Sequence, residues 1–330
     1  MKYYPVFAAL ILLAGCTNLN IFGGDVLKIE VKSEAEGPKD ILVINDIETI
    51  PRSPVLPGQE VRLFFNIENR DDTKEAKNVK VELFNPSSFK NAQCLPTCDF
   101  TSILPGGQEQ VQIIMTAPSE GDIAGVKLET DLNFRVTYRY ETSTIMETLI
   151  VNMNEILARQ RQGQSVTLER NNIMGSGPVR VEGEIKGVPY VLAGQPGDKQ
   201  AGIFVFTVKN IGDKGKGTLV NGKIEPCTEG GQCVGIFFPS ALGALKCPND
   251  NCGKFTCFAY SGPGPVPGTV CINKEPIELF KGESSPFRFD IVNSPNIPEP
   301  FRTHSIRADV AYDYELRGSV HIIVNPLQNV

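Results

Sequence analysis

Tryptophan is absent from the 330 residues, and histidine occurs only twice, at His304 and His321. So small a stock of imidazole leaves two positions at most for a histidine base. No Gly-x-Ser-x-Gly elbow, His-Glu-x-x-His pair or Gly-x-x-x-x-Gly-Lys loop occurs. The common hydrolase, zinc-protease and nucleotide-binding signatures are therefore missing. Positive charge is also scarce: Lys and Arg number 32 against 38 Asp and Glu, a net charge of −6. A general nucleic-acid binder needs a basic face, so that class is excluded. Beyond residue 16 no run of 18 apolar residues exists, and a spanning helix needs about 20. Nor does an Asn-x-Ser/Thr acceptor survive, because Pro86 spoils Asn85-Pro86-Ser87.

What is present describes an exported, folded chain. Hydrophobic residues make up 41% and charged residues 21%, the balance of a globular protein. The length suits about two domains. Residues 1–16, MKYYPVFAALILLAGC, have Lys2 as a positive start and then a short apolar stretch. That stretch is too short to span a bilayer and fits an export signal. Leu13-Ala14-Gly15-Cys16 resembles the lipobox of prokaryotic lipoproteins. By that resemblance Cys16 becomes the mature N-terminus and carries lipid, and the protein sits in the cell envelope on the outer face of a membrane. Residues 17–40 would form a tether or an N-terminal strand.

After Cys16 eight cysteines remain: Cys94 and Cys98, then Cys227, Cys233, Cys247, Cys252, Cys257 and Cys271. Each half of the chain holds an even number, as internal disulfides in an oxidising compartment require. The six allow 15 connectivities, and the sequence does not choose among them. Zinc is the alternative for CPNDNCGKFTC, but its spacing lacks the tight pair that zinc sites favour.

Two stretches, 41–153 and 166–330, repeat one order of features around a polar segment, 154–165, read as a linker or short solvated helix. Each has a strand ending in Asn, VRLFFNIEN to Asn69 and IFVFTVKN to Asn210. Each later has Tyr-x-Tyr, Tyr138 with Tyr140 and Tyr312 with Tyr314, and each ends in an apolar strand, TLIVN or HIIVN. The Asn landmarks lie 141 residues apart and the Tyr landmarks 174, so the second copy holds 33 extra residues between them. Most fall in the cysteine-rich segment, about 227–271. Period-2 alternation of Val, Ile, Phe and Tyr, broken by Gly/Pro turns, predicts short antiparallel strands. The expected fold is all-β: two tandem antiparallel Ig-like β-sandwiches, the second with a disulfide-rich insertion. Without Trp, an antibody-type domain is excluded.

The string PGQEVRLFFNIENRDDTKEAKNVKVELFNP resembles the Ig-like domains of bacterial and archaeal surface proteins, those related to cell adhesion and S-layers. Pro57, Gly58, Asn69, Asn78, Val79 and Val81 carry the match, and the second copy shares only Asn210-Ile211-Gly212. The resemblance implies adhesion, spacing or assembly at a cell surface and no chemistry.

The remaining candidates give the same picture. Asp71 and Asp72 lie between two strands without an Asp-x-Asp-x-Asp-Gly frame, and read as a turn rather than a calcium site. Cys94 and Cys98 lack redox C-x-x-C spacing and read as a short disulfide loop. No cofactor, metal or small-molecule substrate site is expected. Residues 41–153 carry 10 basic and 16 acidic side chains, whereas 166–330 carry 16 of each. The acidic excess therefore falls on the copy nearer the expected anchor in sequence. The cysteine-rich segment is unusually apolar for a loop, with Ile236, Phe237, Phe238, Leu242, Leu245, Phe255, Phe258 and Tyr260. Either disulfides staple a satellite core around these residues, or part of the set is a contact patch, for which Phe237, Phe238 and Tyr260 are the candidates. The expected function is a non-catalytic adhesion, binding or envelope-scaffold module that meets another surface protein. The alternative is a filament or coat subunit assembled when the strand DVLKIEVK, 25–32, completes a neighbour's sheet. A secreted enzyme or metal-binding protein comes third.

Overall fold

The computed structural model describes residues 27–327 except 36, 87, 214, 229, 230, 232, 248–251 and 261–266. The expected export signal with Cys16, residues 17–26 and most of the Pro-rich string SGPGPVPGTV lie outside the described residues.

The protein is all-β. The first half forms β1 (Leu27–Ala35), β2 (Leu42–Ile50), β3 (Glu60–Asn69), β4 (Ala76–Asn85), β5 (Lys90–Leu95), β6 (Asp99–Ile103), β7 (Gln108–Thr116) and β8 (Leu128–Val151). The second forms β9 (Val166–Met174), β10 (Val179–Lys186), β11 (Val191–Leu192), β12 (Gln200–Asn210), β13 (Gly217–Leu219), β14 (Lys223–Ile224), β15 (Cys233–Pro239), β16 (Ala244–Lys246), β17 (Phe255–Tyr260), β18 (Gly268–Asn273), β19 (Ile277–Glu278), β20 (Phe287–Val292) and β21 (Phe301–Val324). Period-2 patterning drives these strands. In β3, Val61, Leu63, Phe65 and Ile67 are buried while Arg62, Phe64 and Asn66 alternate with them.

Among the described residues two α-helices interrupt the strands: α1 (Glu120–Ile123) and α2 (Met153–Arg161). α2 occupies the segment read as a linker or short solvated helix, and Asn152 caps it by accepting from the Asn154 amide. Its Ile156 is buried with Leu149, Val151, Val166 and Leu168 in a small core, so the segment does have an apolar contact. Among the described residues no helix is long and apolar enough to cross a membrane.

The centre of the molecule is one ladder. β8 and β21 pair antiparallel over all 24 residues of each, from Leu128 opposite Val324 to Val151 opposite Phe301. They sit inside a large sheet of order β1-β9-β8-β21-β15-β18-β17, with β4 and β11 also pairing with β8, β13 with β21, and β6 with β4. Two four-stranded sheets, β2-β3-β7-β5 and β10-β12-β20-β16, complete the layers. Their first three strands correspond: the strand ending in Asn69 or Asn210 lies second in each. Both asparagines also close the same turn, accepting the amide two residues on, Asp71 or Gly212.

Aromatic contacts identify which sheet faces which. Phe65 of β3 stacks on Phe134 of β8, centroids 4.2 Å apart. On the other half, Phe204 and Phe206 of β12 and Phe289 of β20 meet Phe238 of β15 and Phe255 of β17. One continuous core runs through both halves.

β1 belongs to the second half in space. It runs parallel to β9, with Leu27 opposite Val166 and Ala35 opposite Met174. Leu27 and Ile29 pack on the small core beneath α2. The chain therefore enters at the α2 end of the cysteine-rich half and only then crosses to residue 41.

Candidate functional site

Three strands of the cysteine-rich segment, β15, β18 and β17, extend the large sheet beyond β21. Successive side chains on a strand point to opposite faces. Ile236 and Phe238 accordingly enter the core, and Phe237 faces outward, half-buried. On β17, Phe255 is buried, while Phe258 and Tyr260 are 45% and 37% exposed. The register sets Phe258 opposite Val270 and Val270 opposite Phe237, with Tyr260 opposite Gly268. A Cβ on Gly268 would lie 2.5 Å from the Phe237 ring. The missing side chain thus leaves room for that ring, which meets Tyr260 edge-on at 6.1 Å.

Phe237, Phe258 and Tyr260 therefore share the outer face of one sheet edge. Of the sequence candidates, Phe237 and Tyr260 come together and Phe238 does not. Phe238 is 2% exposed and packs against Phe204 and Phe289, so its place as a contact residue is corrected to a core role. Phe258 takes its place. The pattern FTCFAY already holds the signal, since 258 and 260 have the same parity.

Disulfides fix this edge. Cys257 on β17 and Cys271 on β18 are direct cross-strand partners and are bonded. Cys227–Cys233 and Cys247–Cys252 are also bonded, and Cys94–Cys98 closes the turn between β5 and β6. The Sγ atoms of Cys247, Cys252 and Cys257 all lie within 4.8 Å of one another. Each is spent in a disulfide, and a zinc site requires thiolates.

A second cluster lies where the two halves meet. Asp71, in the β3–β4 turn, is buried and accepts hydrogen bonds from the Tyr140 and Ser176 hydroxyls. It also accepts from the Thr73 hydroxyl and amide at 2.7 Å and from the Lys74 amide at 3.0 Å. Burial alone would raise this carboxyl, but bonds from Ser176, Tyr140 and Thr73 outweigh it and hold the group well below the usual carboxylate range. Burial, then the bond to Asp71, pushes the Tyr140 hydroxyl up. Thr142 continues the network to the Ser176 carbonyl at 3.0 Å and the Tyr312 hydroxyl at 3.0 Å. With its oxygens taken by five donors, Asp71 is a fastener and not a cation ligand. Its sequence neighbours predict the turn, but the bonds to Tyr140 and Ser176 span 69 and 105 residues and leave no local trace.

The histidines share no site. They lie 17 positions apart on one strand, about 55 Å at strand rise. His321 Nδ1 is 2.9 Å from Asp131 Oδ1 on the surface, whereas burial and then Arg302 depress His304. No protein-family model matches the chain, and no curated protein matches it.

Proposed function

We propose that the protein is a non-catalytic binding module, lipid-anchored on the outer face of the cell envelope, whose contact surface is Phe237, Phe258 and Tyr260. The observation that carries this reading is three aromatic side chains outward on a disulfide-held sheet edge. Rigid aromatic groups bind with little ordering cost, which suits them as anchors for another envelope protein. The pairing of the eight cysteines after Cys16 and the saturation of Asp71 by five donors fit a non-catalytic role. The two halves are read as Ig-like sandwiches sharing the β8–β21 spine, in keeping with the resemblance to adhesion and S-layer domains.

The lipid on Cys16 would hold the α2 end toward the membrane. Ten residues separate Cys16 from Leu27, enough for about 35 Å of extended chain. Cell fractionation tests the anchor: Cys16→Ser should move the protein from membrane to soluble fractions. Cross-linking on intact cells tests the surface, with the triple Ser variant of the three aromatics expected to lose its partner while staying folded. Wild type recovered with free thiols in the cytosol would overturn the proposal.

β-strand addition is the second reading, and one feature favours it. Among the described residues β1 is the last strand of the large sheet and pairs with β9 alone. The described part of DVLKIEVK thus pairs within its own chain and presents an outer edge. Lys28, Glu30, Lys32 and Glu34 line that strand, and charge of this kind discourages edge pairing. An oligomer in size-exclusion chromatography that dissolves when residues 17–36 are removed would decide for assembly.

A further inference from the structure

The nine residues of β1, LKIEVKSEA, contain no Pro or Gly, and their register with β9 runs from Leu27 to Ala35 without a bulge. An uninterrupted strand can pair on its outer side as well, and natural edges are blunted against that by charge, Pro or bulges. Of these devices β1 has charge alone.

That charge is ordered. Lys28, Glu30, Lys32 and Glu34 alternate in sign and share one face of the strand, by its two-residue period. Lys28, Lys32 and Glu34 are exposed and Glu30 is half-buried. Lys28 bonds Glu30 at 2.6 Å and Lys32 bonds Glu169 on β9 at 2.8 Å. Exposed ion pairs of this kind are weak, so these side chains can turn to a further partner at little cost.

Read backwards, the series Lys-Glu-Lys-Glu becomes Glu-Lys-Glu-Lys. An antiparallel second copy centred on Val31 therefore sets Lys28 against Glu34 and Glu30 against Lys32, each pair twice by symmetry. Sliding that copy by two residues brings like charges together: Lys28 on Lys32 with Glu30 on Glu30, or Glu30 on Glu34 with Lys32 on Lys32. Parallel pairing in register sets every charge on itself. Opposite charges directly across two strands stabilise them, and like charges do the reverse. The four side chains thus favour one pairing and oppose its neighbours. On the other face, Leu27 and Ile29 pack on the core beneath α2, but Val31 is 48% exposed. In the centred pairing Val31 stands opposite its own copy, so the two valines cover each other.

We propose that two copies of the chain join edge to edge through β1, antiparallel about a two-fold axis at Val31, into one continuous sheet. This rests on the strand-addition reading above and makes it specific: the partner is a second copy, and a two-fold contact closes at two. It is independent of the aromatic surface on β17.

The test is sedimentation velocity of the full chain carrying Cys16→Ser, at neutral pH and low salt. A dimer is expected, and added salt should weaken it. Lys28→Glu with Lys32→Glu makes the face wholly acidic, and Glu30→Lys with Glu34→Lys makes it wholly basic. Each double variant should weaken the dimer at least about tenfold, and mixing the two should restore it as a heterodimer. Val31→Cys decides the matter should either double variant not fold. Residues directly opposite across antiparallel strands lie within disulfide reach, so Val31→Cys should cross-link two copies. Lys28→Cys should not, because six strand positions, about 20 Å, separate the two copies of residue 28. A monomer throughout would sink both this pairing and strand addition. A dimer lost on removal of residues 17–36, yet indifferent to the charge changes or cross-linked equally at 28 and 31, would sink the pairing and leave strand addition standing. An open series of oligomers would contradict the two-fold closure.

Discussion

Tyr140 and Tyr312 stand directly opposite each other across the β8–β21 ladder, with ring centroids 6.3 Å apart. Tyr138 and Tyr314 form the next pair on the same face. In the sequence repeat, Tyr138 corresponds to Tyr312 and Tyr140 to Tyr314. Exchanging the copies therefore turns one cross-strand pair into the other, as a two-fold axis through the ladder does. The Asp71 network lies beside this axis. It has no copy in the second half, where Tyr314 donates instead to Asn210 at 3.0 Å and burial pushes its hydroxyl up to about 12.

Removing the Asp71 carboxylate should loosen the junction. Asp71→Asn places N–H donors among the donors that Asp71 accepts from, and is expected to cost about 2–4 kcal/mol in urea unfolding at pH 7. In the fold this carboxyl resists protonation, while in the unfolded chain it takes a proton near pH 4. Its contribution is complete above that pH and drains away as pH falls toward the folded value. The gap between wild type and variant should therefore narrow between about pH 4 and pH 2. A constant gap over that range contradicts the assignment.

Neighbouring phenylalanines should behave oppositely. Phe238→Ala opens a cavity between two sheets and is expected to cost about 3–5 kcal/mol. Phe258→Ser and Tyr260→Ser remove exposed surface and should each change stability by about 0.5 kcal/mol or less, while weakening capture of the proposed partner. Calorimetry paired with cross-linking separates the two effects.

The Cys257–Cys271 bond closes a loop of sequence separation 14. Chain-entropy arguments give about 3 kcal/mol for a loop of that size and about 2 for the shorter Cys94–Cys98 loop. Paired Ala substitutions should therefore lower the denaturant midpoint more at the first site. Reduction should also release the partner before β-sheet circular dichroism is lost.

His304 should make the fold weaker in mild acid. Burial, followed by Arg302, keeps its ring neutral in the folded state, and Nε2 has no partner. The unfolded chain takes up a proton below about pH 6.5, so stability declines as pH falls through that value toward the depressed folded one. His304→Leu should flatten this slope in melting curves from pH 7.5 to pH 5.

Much of the fold is legible in local pattern. Alternation marks β3, β12 and β17, and parity along FTCFAY assigns Phe255 inward and Tyr260 outward. The same rule separates Phe237 from Phe238, which a count of apolar residues in the segment cannot do. The long-range features are not legible, because pairing Val136 with Leu316 depends on no neighbour of either. In VRVEGEIK, Arg180 has the parity of Glu182 and Lys186 and reads as solvent-facing. It is buried because the packing around β10 covers it, and that burial has no signature in composition or motif.

The last long strand, β21, gives a central strand to both halves. During synthesis neither half can finish until residues 301–324 have arrived. Chains cut before residue 301 should therefore yield protease-sensitive, aggregation-prone material and not a stable N-terminal fragment. With one core running through both halves, unfolding is expected to follow a single transition.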